Sequence, residues 1–313
     1  MPPLWRALRT LTRREAMRSV AAMFRTMTIA LALLLAGCGA KPPANDADPA
    51  LWVVRDADTT VYLFGTVHML KPGLSWFDEG VKEAFDASDS LVLELVMPPE
   101  HEMQAIVSEL GMTTQGPSLP DQLPPDAAAK LRAALSGVGL DAHALDRAEP
   151  WLAATMLSSL PLRRLGYDEK DGAERVLSDA AAAAGKPVAG LETAREQLGY
   201  FDALPLPAQR ALLLDTLEDM PNAGATVDRM VAAWSRGDAD GLATLMNADL
   251  DRAPELAERL LAARNRNWAE WVAKRMAKPG TVFVAVGAGH LAGGRSVQAE
   301  LARRGLKVER VNY

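Results

Sequence analysis

The sequence predicts an α/β fold in which strand–loop–helix units from the two ends of the chain build one mixed central sheet around a large helical insertion. Three observations predict it. Apolar, β-branched runs that read as strands cluster at residues 51–95 and 281–311. The stretch from Glu100 to about Ala277 is helical in pattern and is punctuated by prolines from Pro120 to Pro254. A chain of 313 residues with 49% hydrophobic and 24% charged side chains can bury a core without crosslinks, and its single cysteine excludes internal disulfides.

The formal net charge is −6, from 34 basic and 40 acidic residues, but it is unevenly spread. Residues 1–37 hold six Arg and one Glu, which leaves 28 basic against 39 acidic residues, or −11, in the rest. So acidic a body has little attraction for phosphate backbones, and no nucleic-acid partner is expected. Four His and one Cys cannot form a cysteine-rich zinc scaffold.

In chain order, residues 1–37 read as a signal peptide: an Arg-rich start, the apolar run Thr28 to Ala36, and small residues before Cys38. The run is too short to span a bilayer, which takes about 20 apolar residues. A start at Met17 or Met23 would still leave a signal of ordinary length. Leu35-Ala36-Gly37-Cys38 resembles the bacterial lipobox, which implies cleavage before Cys38 and lipidation of that residue. Gly39 stands where Asp, in lipoproteins of the enterobacterial kind, favours inner-membrane retention, so the expected location is the cell envelope, lipid-anchored in the outer membrane and facing the periplasm. Residues 38–50, rich in Pro, Ala and Asp, read as a flexible tether, and the folded domain is expected over 51–313.

Leu51 to Val54 and Val61 to Phe64 are strands joined by the polar turn Asp56-Ala57-Asp58. A helix is expected from Trp76 to Ala87, and a third strand over Leu91 to Leu95, ending at Pro98-Pro99. Strand, helix and strand at these lengths suggest a βαβ unit with the two strands paired in parallel. Within the helical middle only Lys186 to Leu191 reads as a strand. Thr281 to Val286 is a continuous apolar run of the buried-strand kind. A helix over Arg295 to Arg304 and a strand over Leu306 to Val311 close a second unit.

Two of the four histidines have glycine three residues before them, at Gly65/His68 and Gly287/His290, each directly after an apolar strand. The carboxyl ends of parallel strands are where α/β sheets hold ligands. Glycine there permits a sharp backbone turn, so both imidazoles are expected to converge on that mouth. Glu94 is the third member. A carboxylate inside the apolar run Leu91 to Val96 loses several kcal/mol to desolvation unless a cation or donor faces it, and that partner is either a divalent ion or an arginine. His68, Glu94 and His290 together suit a divalent cation, with imidazole favouring zinc, cobalt or iron and the carboxylate extending the range to manganese. Such an ion lowers the pKa of a bound water, and Glu94 could alternatively act as the base that takes its proton.

Two other patterns are decoys. Gly287-Ala288-Gly289-His290-Leu291-Ala292 fits the dinucleotide fingerprint, with Glu309 near the acidic position, but the sequence ends four residues later. His101-Glu102 lacks the second histidine of a zincin helix, because Ala105 stands in its place. His143 has no telling context and is expected to be exposed.

The segments LWVVRDADTTVYLFGTVHML, SLVLEL, KPVAGLETAREQL, Arg264-Asn265 followed by Asn267-Trp268, and FVAVGAGHLAGG resemble the TraB/GumN family, to which the Tiki metalloproteases are related. The likeness covers nearly all of residues 51–313 in five ordered motifs. It implies a core like that of the erythromycin esterase and ChaN proteins. It also implies a metal-dependent hydrolytic site carried by His68, Glu94 and His290, with Arg264 near the substrate and Glu192 and Gln197 at motif positions without an assigned role. The implied function is a peptidase-like hydrolase acting on peptides or proteins of the envelope. The other reading is a non-catalytic periplasmic lipoprotein that binds haem or another ligand, with Tyr62 and Tyr167 as candidate axial ligands.

Overall fold

A computed structural model describes residues 45–247 and 254–313. The signal segment, Cys38 and the tether up to residue 44 lie outside the described residues. The last part of the expected tether is packed. Asn45–Asp46 pairs in parallel with Leu74–Ser75, and Ala47 and Ala50 are buried, so ordered structure begins ahead of Leu51.

The central sheet has six strands: β1 (Leu51–Arg55), β2 (Thr59–Thr66), β3 (Ser90–Leu95), β4 (Val188–Glu192), β5 (Gly280–Gly287) and β6 (Val308–Arg310). Their order is β4-β3-β5-β2-β1-β6. β1 and β2 form the expected antiparallel hairpin, its turn held by Asp56 Oδ1, which accepts from the N–H groups of Thr59 and Asp58. The expected direct pairing of β2 with β3 does not form. β5, from the far end of the chain, lies between them and is parallel to both. The physical reason is its sequence: Val282 to Val286 is apolar on both faces and buried throughout, which suits a central position. β6 likewise does not return to β5 but adds antiparallel to β1 at the edge.

Alternation of side chains sends the strands' apolar residues to two cores. On one face Phe64, Leu91, Leu93, Phe283 and Ala285 pack with helices α1 (Glu79–Asp86), α5 (Ala173–Ala184) and α8 (Ala223–Ser235). The Phe64 ring stacks on Trp76 at 5.5 Å. Trp76 and Phe77 enter this core ahead of the helix, which is why α1 starts later than its periodicity suggests. On the other face Val61, Leu63, Val92, Val282 and Val284 meet α11 (Ala263–Arg275) and α12 (Val297–Arg303). The insertion between β3 and β5 adds α2 (Glu100–Gly111), α3 (Pro125–Gly137), α4 (Pro150–Arg164), α6 (Ala194–Asp202), α7 (Leu206–Asp219), α9 (Ala239–Asn247) and α10 (Pro254–Ala257). It has a core of its own, in which Trp151, Leu131, Leu135, Leu157 and Leu213 are fully buried. Among the described residues no helix is long and apolar enough to cross a membrane.

Candidate functional site at the carboxyl edge of the sheet

The parallel strands β2, β3, β4 and β5 end side by side, and their last residues or the loops after them supply the charged groups. Register sets the two histidine loops level, with Gly65 opposite Val286 and Thr66 opposite Gly287. The glycines serve close packing rather than left-handed turns. A Cβ on Gly65 would lie 3.0 Å from the Ala288 backbone, and one on Gly287 would lie 3.0 Å from the Glu94 carboxylate.

Glu94, near the end of β3, is largely enclosed, its side chain 12% exposed, and meets an arginine. Arg264 NH2 donates to Glu94 Oε2 at 2.9 Å and to Glu192 Oε2 at 2.7 Å, while its Nε donates to Glu192 Oε1 at 2.9 Å. Arg264 NH1 donates to His290 Nε2 at 3.2 Å and to the Leu260 carbonyl at 3.2 Å. That carbonyl belongs to a π-helical turn, Glu258–Ala262, immediately before α11; such turns recur at functional sites. Arg264, which the motif likeness places near the substrate, is a buried bridge between two carboxylates. Glu94 is completed by the Gly287 N–H at 2.6 Å and by Gln197 Nε2 at 3.1 Å. Burial works against its charge. The surrounding groups prevail and hold it below the usual carboxylate range, Arg264 and the Gly287 N–H foremost at neutral pH because His290 is then uncharged.

His290 sits in a short 3-10 turn after β5 and is buried. Asn265 Nδ2 donates to the Arg295 carbonyl, so Asn265 Oδ1 must accept from His290 Nδ1–H, at 2.6 Å, which leaves Nε2 with its lone pair toward Arg264. Burial lowers the imidazole pKa to about 4, so it is neutral at physiological pH. Trp268, one turn beyond Arg264 on α11, places its ring 4.3 Å from the imidazole and donates Nε1–H to Glu192.

His68 stands apart and is exposed. Its Nδ1 faces Glu174 Oε1 at 2.6 Å, and Thr66 donates its hydroxyl to the same oxygen. The hydrogen bond and charge of Glu174 raise the imidazole to about 9. The loop is seated on the start of α5 by a bond from Ala173 N–H to the Val67 carbonyl, and Gly172 leaves room for the His68 carbonyl, which a Cβ would approach to 2.0 Å.

The expected convergence is thus partial. Glu94 and His290 lie 3.8 Å apart, with Arg264 bridging them, while His68 turns to Glu174. Among the described residues no three His, Cys, Asp or Glu side chains gather in the manner of a metal site. Glu192 and Gln197 gain roles as partners of Arg264 and Glu94. Glu174 and Asn265, which fix the two histidines, were not singled out as site residues by sequence reasoning; Asn265 is signalled by its adjacency to Arg264, whereas nothing in the sequence marks Glu174. His143 is exposed beside Asp146, as expected. Tyr167 is buried and donates its hydroxyl to Asp228, and Tyr62 packs against the first core.

Comparison with known proteins agrees with the motif order. No solved structure matches. An uncharacterized protein of Treponema pallidum (strain Nichols) is 25% identical over 271 residues, spanning 82% of this chain and 80% of its own length. The sequence profile of the TraB/PrgY/gumN family matches residues 50–310, a span that contains every strand of the sheet and both histidine loops. With the match covering most of the chain, the protein belongs to the TraB/PrgY/gumN family.

Proposed function

We propose that the protein is a metal-dependent, peptidase-like hydrolase of the cell envelope, tethered by lipid on Cys38 in the outer membrane and facing the periplasm. The observation that carries the reading is the pair of imidazoles at the carboxyl edge of the sheet. Each has its Nδ1 tied to an oxygen, Glu174 for His68 and Asn265 for His290, so that Nε2 is the atom that would face an ion; at His290 the Arg264 NH1 donor now on that lone pair would have to give way. Outer partners of this kind orient metal-binding histidines and fix their tautomer. His68, Glu94 and His290 would hold the ion, manganese or cobalt ahead of zinc. Once bound, a divalent ion supplies an activated water and polarises a carbonyl.

The chain's own residues do the rest. Arg264, anchored on Glu192, keeps Glu94 ionised and in place. Gln197 and the Gly287 N–H fix the rotamer of the Glu94 carboxylate. Thr66 and Glu174 hold His68 at the solvent side, with its Nδ1 fixed on the Glu174 carboxylate.

The test uses purified full chain, elemental analysis and a broad peptide library. Cleavage is expected to stop with chelator, to return with Mn or Co, and to vanish in Glu94→Gln, and each histidine-to-alanine change is expected to lower bound metal at least about tenfold. A library left uncut with every divalent metal overturns the reading. Cys38→Ser is expected to release the protein from the membrane fraction, because lipid chains supply the attachment.

A further inference from the structure

The edge of the sheet beside the candidate site is open. Among the described residues β4 is the outermost strand, paired only with β3, and Val188, Ala189 and Gly190 are exposed. Leu91 N–H donates to the Pro187 carbonyl at 3.0 Å. In a parallel ladder of this register, that bond turns the backbone groups of Ala189 and Leu191 toward β3 and those of Val188 and Gly190 outward. No lysine or proline, the usual guards of an exposed edge, stands within Val188–Glu192.

A groove of about 410 Å³ runs next to this edge, with Val96, Pro98 and Ile106 among its apolar lining. Val96 and the neighbouring Met97 are 46% and 68% exposed, so two adjacent apolar side chains face solvent beside the groove. Charges in the groove are mostly consumed. Arg195 is held by both oxygens of Glu109 at 2.8 and 2.7 Å, Glu196 caps α6 through Thr193, and Glu192 is bound by Arg264. Glu102 is the exception, since among the described residues it has no side-chain partner. The strand ends at Glu192, so edge and groove lead directly into the Arg264–Glu94 cluster.

We infer that the β4 edge and this groove form a docking site for an extended peptide, which adds to the sheet as a further strand, places an apolar side chain in the groove and sets a cationic group against Glu102. Backbone bonding supplies affinity without sequence preference, while the groove and the carboxylate supply selectivity. The inference deepens the peptidase reading and rests on it for the fate of the peptide, not for its binding.

Binding is read by fluorescence anisotropy on the full chain carrying Glu94→Gln, with a labelled alternating Lys-Val peptide, a twin N-methylated at alternate amides, and an alternating Glu-Val twin. The Lys-Val peptide is expected to bind at least tenfold tighter than either twin. Val188→Pro removes one outward N–H at the first strand position, where proline is tolerated, and is expected to weaken binding about fivefold. Glu102→Lys is expected to weaken it by a similar factor and to flatten its salt dependence. Should Val188→Pro impair folding, the N-methylated twin performs the same test on an unaltered strand. Equal binding of the N-methylated twin, no binding of any peptide, or a self-association that Val188→Pro abolishes while peptide is ignored would each overturn the docking site. Tight binding without cleavage by the wild-type chain and added Mn would leave docking standing and remove the peptidase. Cleavage indifferent to N-methylation and to Glu102→Lys would do the reverse.

Discussion

The two GxxH segments leave adjacent parallel strands at the same level of the sheet, yet they hold their histidines in opposite protonation states. His290 is buried, partnered at Nδ1 by a neutral amide, and lowered to about 4. His68 is exposed, partnered at Nδ1 by a carboxylate, and raised to about 9. The motif and the register set where each ring stands; the partner and the depth of burial set its charge. A site built this way has a buried half, in which Arg264 faces two carboxylates and a neutral imidazole, and a solvent-facing half, in which a charged imidazole pairs with Glu174.

The largest expected effect tests the buried half. Arg264→Met leaves Glu94 and Glu192 buried without their cation, and breaking a buried pair by removing one partner costs about 3–5 kcal/mol. Urea denaturation should show that loss, whereas Arg195→Met, which breaks an exposed pair with Glu109, should leave the midpoint nearly unchanged. Equal stability of the two variants would mean that the Arg264 bridge carries no weight.

Acid should find the same half through His290. Its folded pKa of about 4 lies below the ordinary 6.5, so the unfolded chain binds the extra proton. The stability tied to its neutral form is present above pH 6.5 and is lost as pH falls toward 4, on the order of 3 kcal/mol in all. His290→Gln removes that titration, so the gap in urea midpoint between wild type and variant should narrow over this window. A gap that stays constant from pH 7 to 4 would contradict a buried neutral imidazole.

A smaller loss is expected at Asn265. Asn265→Ala strands a buried N–H on His290, a cost of about 1–3 kcal/mol. Nitrogen chemical shifts of the ring should still report Nδ1–H, because Arg264 NH1 can only donate and keeps Nε2 unprotonated.

Much of this was legible in the sequence where the pattern is local. The β1–β2 hairpin, the buried run of β5 and the helical insertion follow from side-chain periodicity, and His68, Glu94 and His290 follow from glycine spacing and from a carboxylate in an apolar run. What periodicity does not carry is long-range pairing. Nothing local states that β5 would insert between β2 and β3, and that insertion brings Gly287 to Glu94. Of the partners that Glu94 demanded, an arginine is in place: a guanidinium on α11 reaches both Glu94 and Glu192. Glu174 was missed because a Glu in the first turn of a helix is ordinarily explained by the helix dipole alone.

The last and smallest effect separates the two histidines directly. Glu174→Gln keeps the size of the partner and removes its charge, so the His68 titration, followed by proton NMR, should fall from about 9 toward 6.5 while His290 is unchanged. His68 is largely exposed, so screening makes the accompanying change in stability small. Its sign is nevertheless fixed. A folded pKa raised above the unfolded value contributes stability that is complete below pH 6.5 and lost as pH rises through about 9. Wild type should therefore exceed Glu174→Gln in urea midpoint at pH 6 and match it above pH 9, the opposite pH direction from His290. A His68 that still titrates near 9 in this variant would show that the field of the whole site, and not the Glu174 carboxylate, holds the proton on the exposed ring.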